Sequence, residues 1–366
     1  MAAVSPHRPA SRRAERALAR AAGDRRLLAG AAATAGLALA AGVTRELVRR
    51  GADRDGGPDA PSRAYRFKRK EESREGVTRV ASGRLDDALE HLGDGLDENV
   101  VTAIHEARKD LKKARAVLRL VRDQLGEDVY QRENSRLRDA GRKLSGSRDA
   151  VVKAETLDAL AERFRDELPE SFGTLREELQ HEREVFTAAQ RGADSEIRRA
   201  AASAAQEIAT GRAAIEEWTF AKSGWKLLAP GLKRSYGRGR DRFHDVLSDP
   251  SPANVHEWRK RVKDLWYHLR LLRNSWPEVL GEMSDQAHLL SDLLGDHHDL
   301  GVLAEDAQSR RDLPDREGAA AIVGIIEGRQ GELLEAAVPI GERLYADSPK
   351  AFVKRLRAYW RAWRPD

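Results

Sequence analysis

Two stretches of this 366-residue chain carry the same ordered set of ionisable side chains. His105, Glu106, Arg108, Lys109 and Lys112 recur as His256, Glu257, Arg259, Lys260 and Lys263, at a shift of 151 residues. Across the ungapped windows 104–122 and 255–273, nine of nineteen positions are identical. Cations of this kind beside one histidine suit an anionic ligand. Arg offers a planar fork of donors, Lys a mobile point charge, and neutral His one N–H. A histidine crowded by cations is expected to be mostly neutral and to gain a proton once an anion is bound. Glu106 and Glu257 follow each histidine directly, and intrahelical pairing with a neighbouring Lys or Arg is the role expected of them.

Helical periodicity gives the repeat its geometry. Ile104, Ala107, Leu111, Ala114, Leu118 and Val121 fall on one apolar stripe, and Val255, Trp258, Val262, Leu265, Leu269 and Leu272 on its counterpart. His105, Arg108, Lys109, Lys112, Arg115 and Arg119 gather on the other side of the first helix. His256, Arg259, Lys260, Lys263 and Arg270 do so on the second. A solvated helix face mixes signs, because like charges one turn apart repel by tenths of a kcal/mol. Here that cost recurs in both copies with little acidic relief, which points to use. From His105 to Arg119 the row extends about 21 Å, a length suited to an extended polyanion.

The elements that must carry these rows are helices. Apolar residues make up 40% of the chain, charged residues 34% and aromatics 5%, with Ala, Leu, Arg and Glu dominant. Cysteine is absent, which excludes a disulfide framework, a thiol nucleophile, an iron–sulfur cluster and thiolate-ligated zinc, and fits a cytoplasmic protein. The net charge of +5 is uneven: residues 1–50 hold ten arginines against three acidic residues, so the remainder sums to −2. An anion site in the body must therefore come from arrangement and not from bulk charge.

Residues 1–62 form an Arg/Ala-rich extension ending in the Gly/Pro linker 51–62. Within it, Leu27 to Val43 is free of charge over 17 residues and flanked by arginines. It fits a weak membrane helix, a signal-peptide core or an apolar helix packing on the body. The long basic region before it counts against the signal peptide, and the other readings stay open beside disorder. Helices are expected over 77–92, 98–125, 128–145, 149–167, 171–188 and 193–215. A break around Gly224, Pro230 and Gly231 comes next. Further helices follow over 232–248, 254–274, 277–294, 299–311, 317–345 and 349–363, with Asn254 as an N-cap. A second pair of similar segments, 144–152 and 293–303, follows the repeated helices, with Asp149 matching Asp299. The body thus divides into two homologous halves, 63–225 and 226–366.

The repeated basic helices, the segments near 144–150 and 294–300 and the C-terminal ERLYADSPKAFVKRLRAYWRAW together resemble the CHAD domain, the conserved histidine α-helical domain, over about 300 residues. The resemblance implies an all-α fold of two helical bundles related by a pseudo-two-fold axis, with a basic groove between them. It implies non-enzymatic binding of inorganic polyphosphate, with polyphosphate granules or polyphosphate-metabolising enzymes as further partners. By motif, the ligand contacts would be His105, Arg108, Lys109, Lys112, Arg119, His256, Arg259, Lys260, Lys263 and Arg270. Arg115 extends the first row, and Arg148 and His298 match the residue before Asp in the follow-up segment. No cofactor or metal is implied.

Other constellations carry less. His288, Asp292 and the run Asp296-His297-His298-Asp299 have ligand-compatible spacing, but the first half lacks a counterpart, so a metal site is not expected. The Trp residues at helical spacing read as core or groove wall. A histidine phosphotransfer domain is the main rival, weakened by the lack of an accompanying carboxylate-rich Mg²⁺ site or nucleotide site. Nucleic-acid binding is the second, weakened by the near-neutral body. Location is expected to be cytoplasmic, at a granule, or at the inner membrane through 27–43.

Overall fold

The computed structural model describes residues 63–144, 149–164, 171–192, 194–310 and 316–364, and among them no strand occurs. The extension 1–62, with its segment 27–43, lies outside the described residues, as does Arg148. Among the described residues no helix is long and apolar enough to cross a membrane.

The helices in chain order are α1 (Ser73–Leu92), α2 (Asp94–Glu98), α3 (Val100–Leu125), α4 (Glu127–Lys143), α5 (Asp149–Arg163), α6 (Ser171–Gly192) and α7 (Asp194–Ala214). After the 3-10 turn Ile215–Glu217 come α8 (Trp225–Ser248), α9 (Pro252–Leu272), α10 (Pro277–Ser309), α11 (Arg316–Leu344) and α12 (Pro349–Trp363). The basic repeats lie on α3 and α9.

Three expectations need correction. The break expected around Gly224 to Gly231 is confined to Gly224, whose φ of 57° starts a helix that already contains Pro230. Pro230 lies in the second turn of that helix, which therefore gives up one backbone hydrogen bond and continues. The helices expected over 277–294 and 299–311 are one helix, α10, through the Asp/His run. Asn254 is not the cap of α9: Ser251 is, with Pro252 at the first turn, where its fixed φ suits helix entry. Asn254 instead donates from Nδ2 to the Asp249 carbonyl and carboxylate, both at 2.9 Å.

The apolar stripes expected on α3 and α9 are all buried. So is a second face of each helix, bearing Ala116, Val117 and Leu120 on α3 and Tyr267, His268 and Leu271 on α9. Two buried faces mean that each repeated helix packs on its own bundle and on the other half as well. Helices α1, α3, α4 and α7 pack together, as do α8, α9, α10 and α12, while α8 and α9 also lie against α3. Gly231 makes that approach possible, because a Cβ there would stand 1.8 Å from the Leu120 carbonyl oxygen.

The two sequence halves interlock in space. Helices α5 and α6 of the first half pack on α10 and α11 of the second. Ion pairs join them: Lys153 with Asp306, Arg310 with Glu178 (3.0 Å) and Glu182 (2.7 Å), and Arg163 with Glu332 (2.8 Å). At the start of the body, Phe67 N–H donates to the Leu271 carbonyl at 3.0 Å, and the Phe67 ring packs edge-on against Trp360 at 5.5 Å.

Candidate anion-binding site

The starts of two helices position the cationic rows. The Asn99 side chain accepts from Thr102 N–H at 3.0 Å and caps α3 shortly before His105. On α9 the cap Ser251 makes no side-chain hydrogen bond, and Pro252 opens the first turn, one turn before His256.

Lys112 of the first half lies within electrostatic reach of Lys263 of the second. Lys112 is exposed. The Lys263 ammonium is pushed down to about 7, first by burial and then by Arg259 and Lys112, with Asp292 and Asp299 opposing. These two lysines occupy matching positions of the repeat.

One turn or more towards the start of α9, the His256 ring lies 4.4 Å from that of His298, centroid to centroid. His298 belongs to α10, so the continuity of that helix places it against α9. Burial first, then His298, Lys260 and Arg259, push His256 down to about 4. Burial and Arg259 lower His298 as well. Both rings are therefore neutral at pH 7 and keep one N–H each to offer an anion. At His256 the neutrality expected from neighbouring cations is present, with burial as the larger cause. The Arg259 guanidinium lies over Gly295, where a Cβ would meet its Nη2 at 3.0 Å. A larger residue at 295 would therefore push against the guanidinium.

The glutamates pair as expected. Lys109 Nζ lies 3.0 Å from Glu106, and Lys260 Nζ lies 2.6 Å from Glu257. The rows thus have more acidic relief than the sequence pattern suggests. His105 is exposed, 4.0 Å from Glu106, and Arg108 is half-buried beside it.

The remaining members of the rows sit elsewhere. Arg119 Nε lies 2.8 Å from Asp264 of α9. Arg115 donates to the Asn134 side chain of α4 at 3.1 Å, and burial, then Arg119, push it down to about 10. Arg270 lies over the rings of Trp266 (5.3 Å) and Tyr65 (5.5 Å). Arg119 and Arg270 thus tie the halves together, whereas Arg115 stays within the first half.

Two residues at this junction escaped the sequence reading. Arg261 and Asp264 pair at 3.0 Å on α9, at the positions where α3 carries Asp110 and Lys113, paired at 3.2 Å. The same salt bridge occurs in each copy with its signs exchanged. Aligned positions of opposite charge were the signal available in the sequence.

His288 Nδ1 is 2.8 Å from Asp292, its ring edge-on to Trp266, while His297 is buried. Among the described residues no group of three or more His, Asp or Glu side chains converges as a metal site. A cleft of about 860 Å³ lies apart from the rows, lined by Arg74, Thr78, Ser82, Arg212, Trp218 and Phe220. Its Arg212 is held by Asp86 at 2.8 Å.

Comparison with known proteins agrees with this architecture. No curated protein matches the chain. Among solved structures, the fold is similar to PptA from Streptomyces chartreusis, with a TM-score of 0.55 and 17% identity, over 76% of this chain and 100% of that one. At that identity the likeness concerns the fold. The family model described as CHAD domain matches residues 79–308, which include both basic helices and the His256–His298 contact, and the chain therefore belongs to the CHAD domain family.

Proposed function

We propose that this chain binds inorganic polyphosphate along the cationic rows of α3 and α9, without transforming it. The observation that carries the reading is the clustering of Lys263 with Arg259 and, from the opposite half, Lys112, on the helix that also brings His256 against His298. Crowded cations raise the energy of the empty site, and a polyanion relieves that repulsion while releasing its counterions. A flexible phosphate chain needs a row of donors, and the two helices supply one that crosses the junction.

On this reading the groove lies about a pseudo-two-fold axis near Lys112 and Lys263. Arg119 of the first half meets Asp264, and Arg270 of the second lies near Lys113. Those contacts exchange under the 151-residue shift, as an isologous junction requires. Polyphosphate granules or enzymes that make or degrade the polymer are the further partners, and membrane association would fall to residues 27–43.

The test is titration of the full chain with long-chain polyphosphate. Lys112→Ala with Lys263→Ala should weaken binding at least tenfold and leave the melting temperature unchanged or higher, because a like-charge contact is removed. Unchanged affinity would overturn the reading. His105→Gln with His256→Gln separates binding from phosphotransfer: a loss of a few fold agrees with binding, whereas a phosphohistidine that vanishes in the variant would establish transfer.

A further inference from the structure

The last helix carries a face that the rest of the described molecule leaves uncovered. Helix α12 holds five cations and no carboxylate. Four of them, Lys350, Lys354, Arg357 and Arg361, recur at intervals of four, three and four residues and so form one row about 16 Å long. All four are exposed, and none makes a side-chain hydrogen bond or ion pair among the described residues. Packing does not require such a face. Helix α7 packs on α1 as α12 packs on α8, and it mixes Glu196 and Glu207 with Arg198, Arg199 and Arg212. Like charges one turn apart repel, so the unrelieved row on α12 is a cost without a structural return.

The row has basic and aromatic neighbours. The Phe67 ring packs on Trp360 at 5.5 Å, and Arg364 donates to the Lys68 carbonyl. These contacts set the exposed residues Lys68, Arg69 and Lys70 beside the end of α12. On another flank of the helix, Trp276 is 43% exposed and stands edge-on to Tyr359 at 4.7 Å. The nearby carboxylates are few: Glu71 is taken by Arg79, Glu72 caps α1, and Glu278 stands exposed just after Trp276. The face is also remote from the rows of α3 and α9. Helix α12 packs against the turn 273–275 at the end of α9, about 24 Å of helix beyond His256.

We infer that α12, together with Lys68 to Lys70, is a docking face for an anionic lipid bilayer. The inference goes beyond the polyphosphate reading and does not depend on it. Phe352, Leu356 and Trp360, the apolar side of α12, are buried in the body, so the helix meets a bilayer by charge and does not insert. An exposed helix is convex. A plane of anionic headgroups meets its whole row at once, whereas a polymer laid along it finds donors on one side only. Trp276 and Tyr359 add rings of the kind that settle at headgroup level, for which a phosphate polymer has no use. The extension with the charge-free segment 27–43 joins the body at Arg63, four residues before Phe67. A bilayer that held that segment would thus tether the body next to α12, and the row would fix its orientation.

The experiment measures co-sedimentation of the full chain with phosphatidylcholine vesicles, with and without phosphatidylglycerol. Phosphatidylglycerol should strengthen binding, and high salt should remove that gain. Lys354→Gln with Arg357→Gln should weaken binding to the phosphatidylglycerol vesicles by about tenfold or more, since each cation near an anionic surface is worth about fivefold. The same variant should keep its melting temperature, its polyphosphate affinity and its binding to phosphatidylcholine alone. Arg138→Gln with Arg176→Gln removes arginines of α4 and α6 that pair with Asp139 and Asp158. It makes the same change of net charge and should alter vesicle binding little. Binding indifferent to phosphatidylglycerol, wild-type binding by the α12 variant, or an equal loss in the control pair would overturn the docking face. So would a loss of polyphosphate or duplex DNA binding by the α12 variant with vesicle binding intact, which would assign the row to a polymer.

Discussion

His268 Nε2 on α9 lies 2.9 Å from the carbonyl oxygen of Ala116 on α3. A carbonyl only accepts, so Nε2 carries the proton and donates across the junction of the halves. Nδ1 is buried with no partner, so a second proton there would place an unpaired charge in the core. That burial pushes His268 down to about 4.

Stability should therefore depend on pH through this residue. The unfolded chain binds the proton near 6.5 and the folded chain only near 4, so the penalty is absent above 6.5 and grows as pH falls towards 4. Full protonation corresponds to about 3 kcal/mol. His268→Gln keeps a donor for Ala116 without titrating. It should flatten the loss of melting temperature between pH 7 and pH 4.5, and an equally steep loss in the variant would contradict this role.

Gly231 provides the second test of the junction. A Cβ at 231 would overlap the Leu120 carbonyl, and backbone on both sides gives little room to yield. Gly231→Ala should cost about 3 kcal/mol or more, above the usual range for an overpacked core, because two helices must separate. Denaturant unfolding at pH 7.5 measures it; a loss below about 1 kcal/mol would mean that the helices part easily.

The helices and the stripes were legible because they depend on local periodicity: α12 spans 349–363 as expected, and each apolar stripe residue of α3 and α9 is buried. The second buried face was not legible. Ala116, Leu120 and Tyr267 are covered by the other half, and a pattern read along one helix does not say what crosses it. The same holds for Pro230 and Gly231, which read as a break until Leu120 is seen to need the small residue. At the site, the repeat placed His256, Arg259, Lys260 and Lys263 together. It could not show that Arg119 is taken by Asp264, because that pair depends on packing between halves.

Lys263 should make binding pH-dependent. Free, it titrates near 7 among Arg259, Lys112, Asp292 and Asp299. Bound phosphate favours the charged ammonium and raises that value, so binding takes up protons and affinity falls as pH rises above 7. The neighbouring His256 and His298 add uptake at lower pH, where His256 faces Lys260, Arg259 and Glu257. Calorimetry at pH 8 in buffers of different ionisation enthalpy should show net proton uptake. Lys263→Arg, always charged, should remove most of it, and an uptake unchanged in that variant would assign the proton elsewhere.

The most direct measurement of the central claim is the affinity of the full chain for long-chain polyphosphate across a range of salt concentrations. Two cationic rows acting together predict a slope of log K against log salt of about −4 or steeper, at about −0.7 per phosphate neutralised. A slope shallower than about −2 would mean that only about three cations touch the ligand, and would contradict a polymer held jointly by α3 and α9.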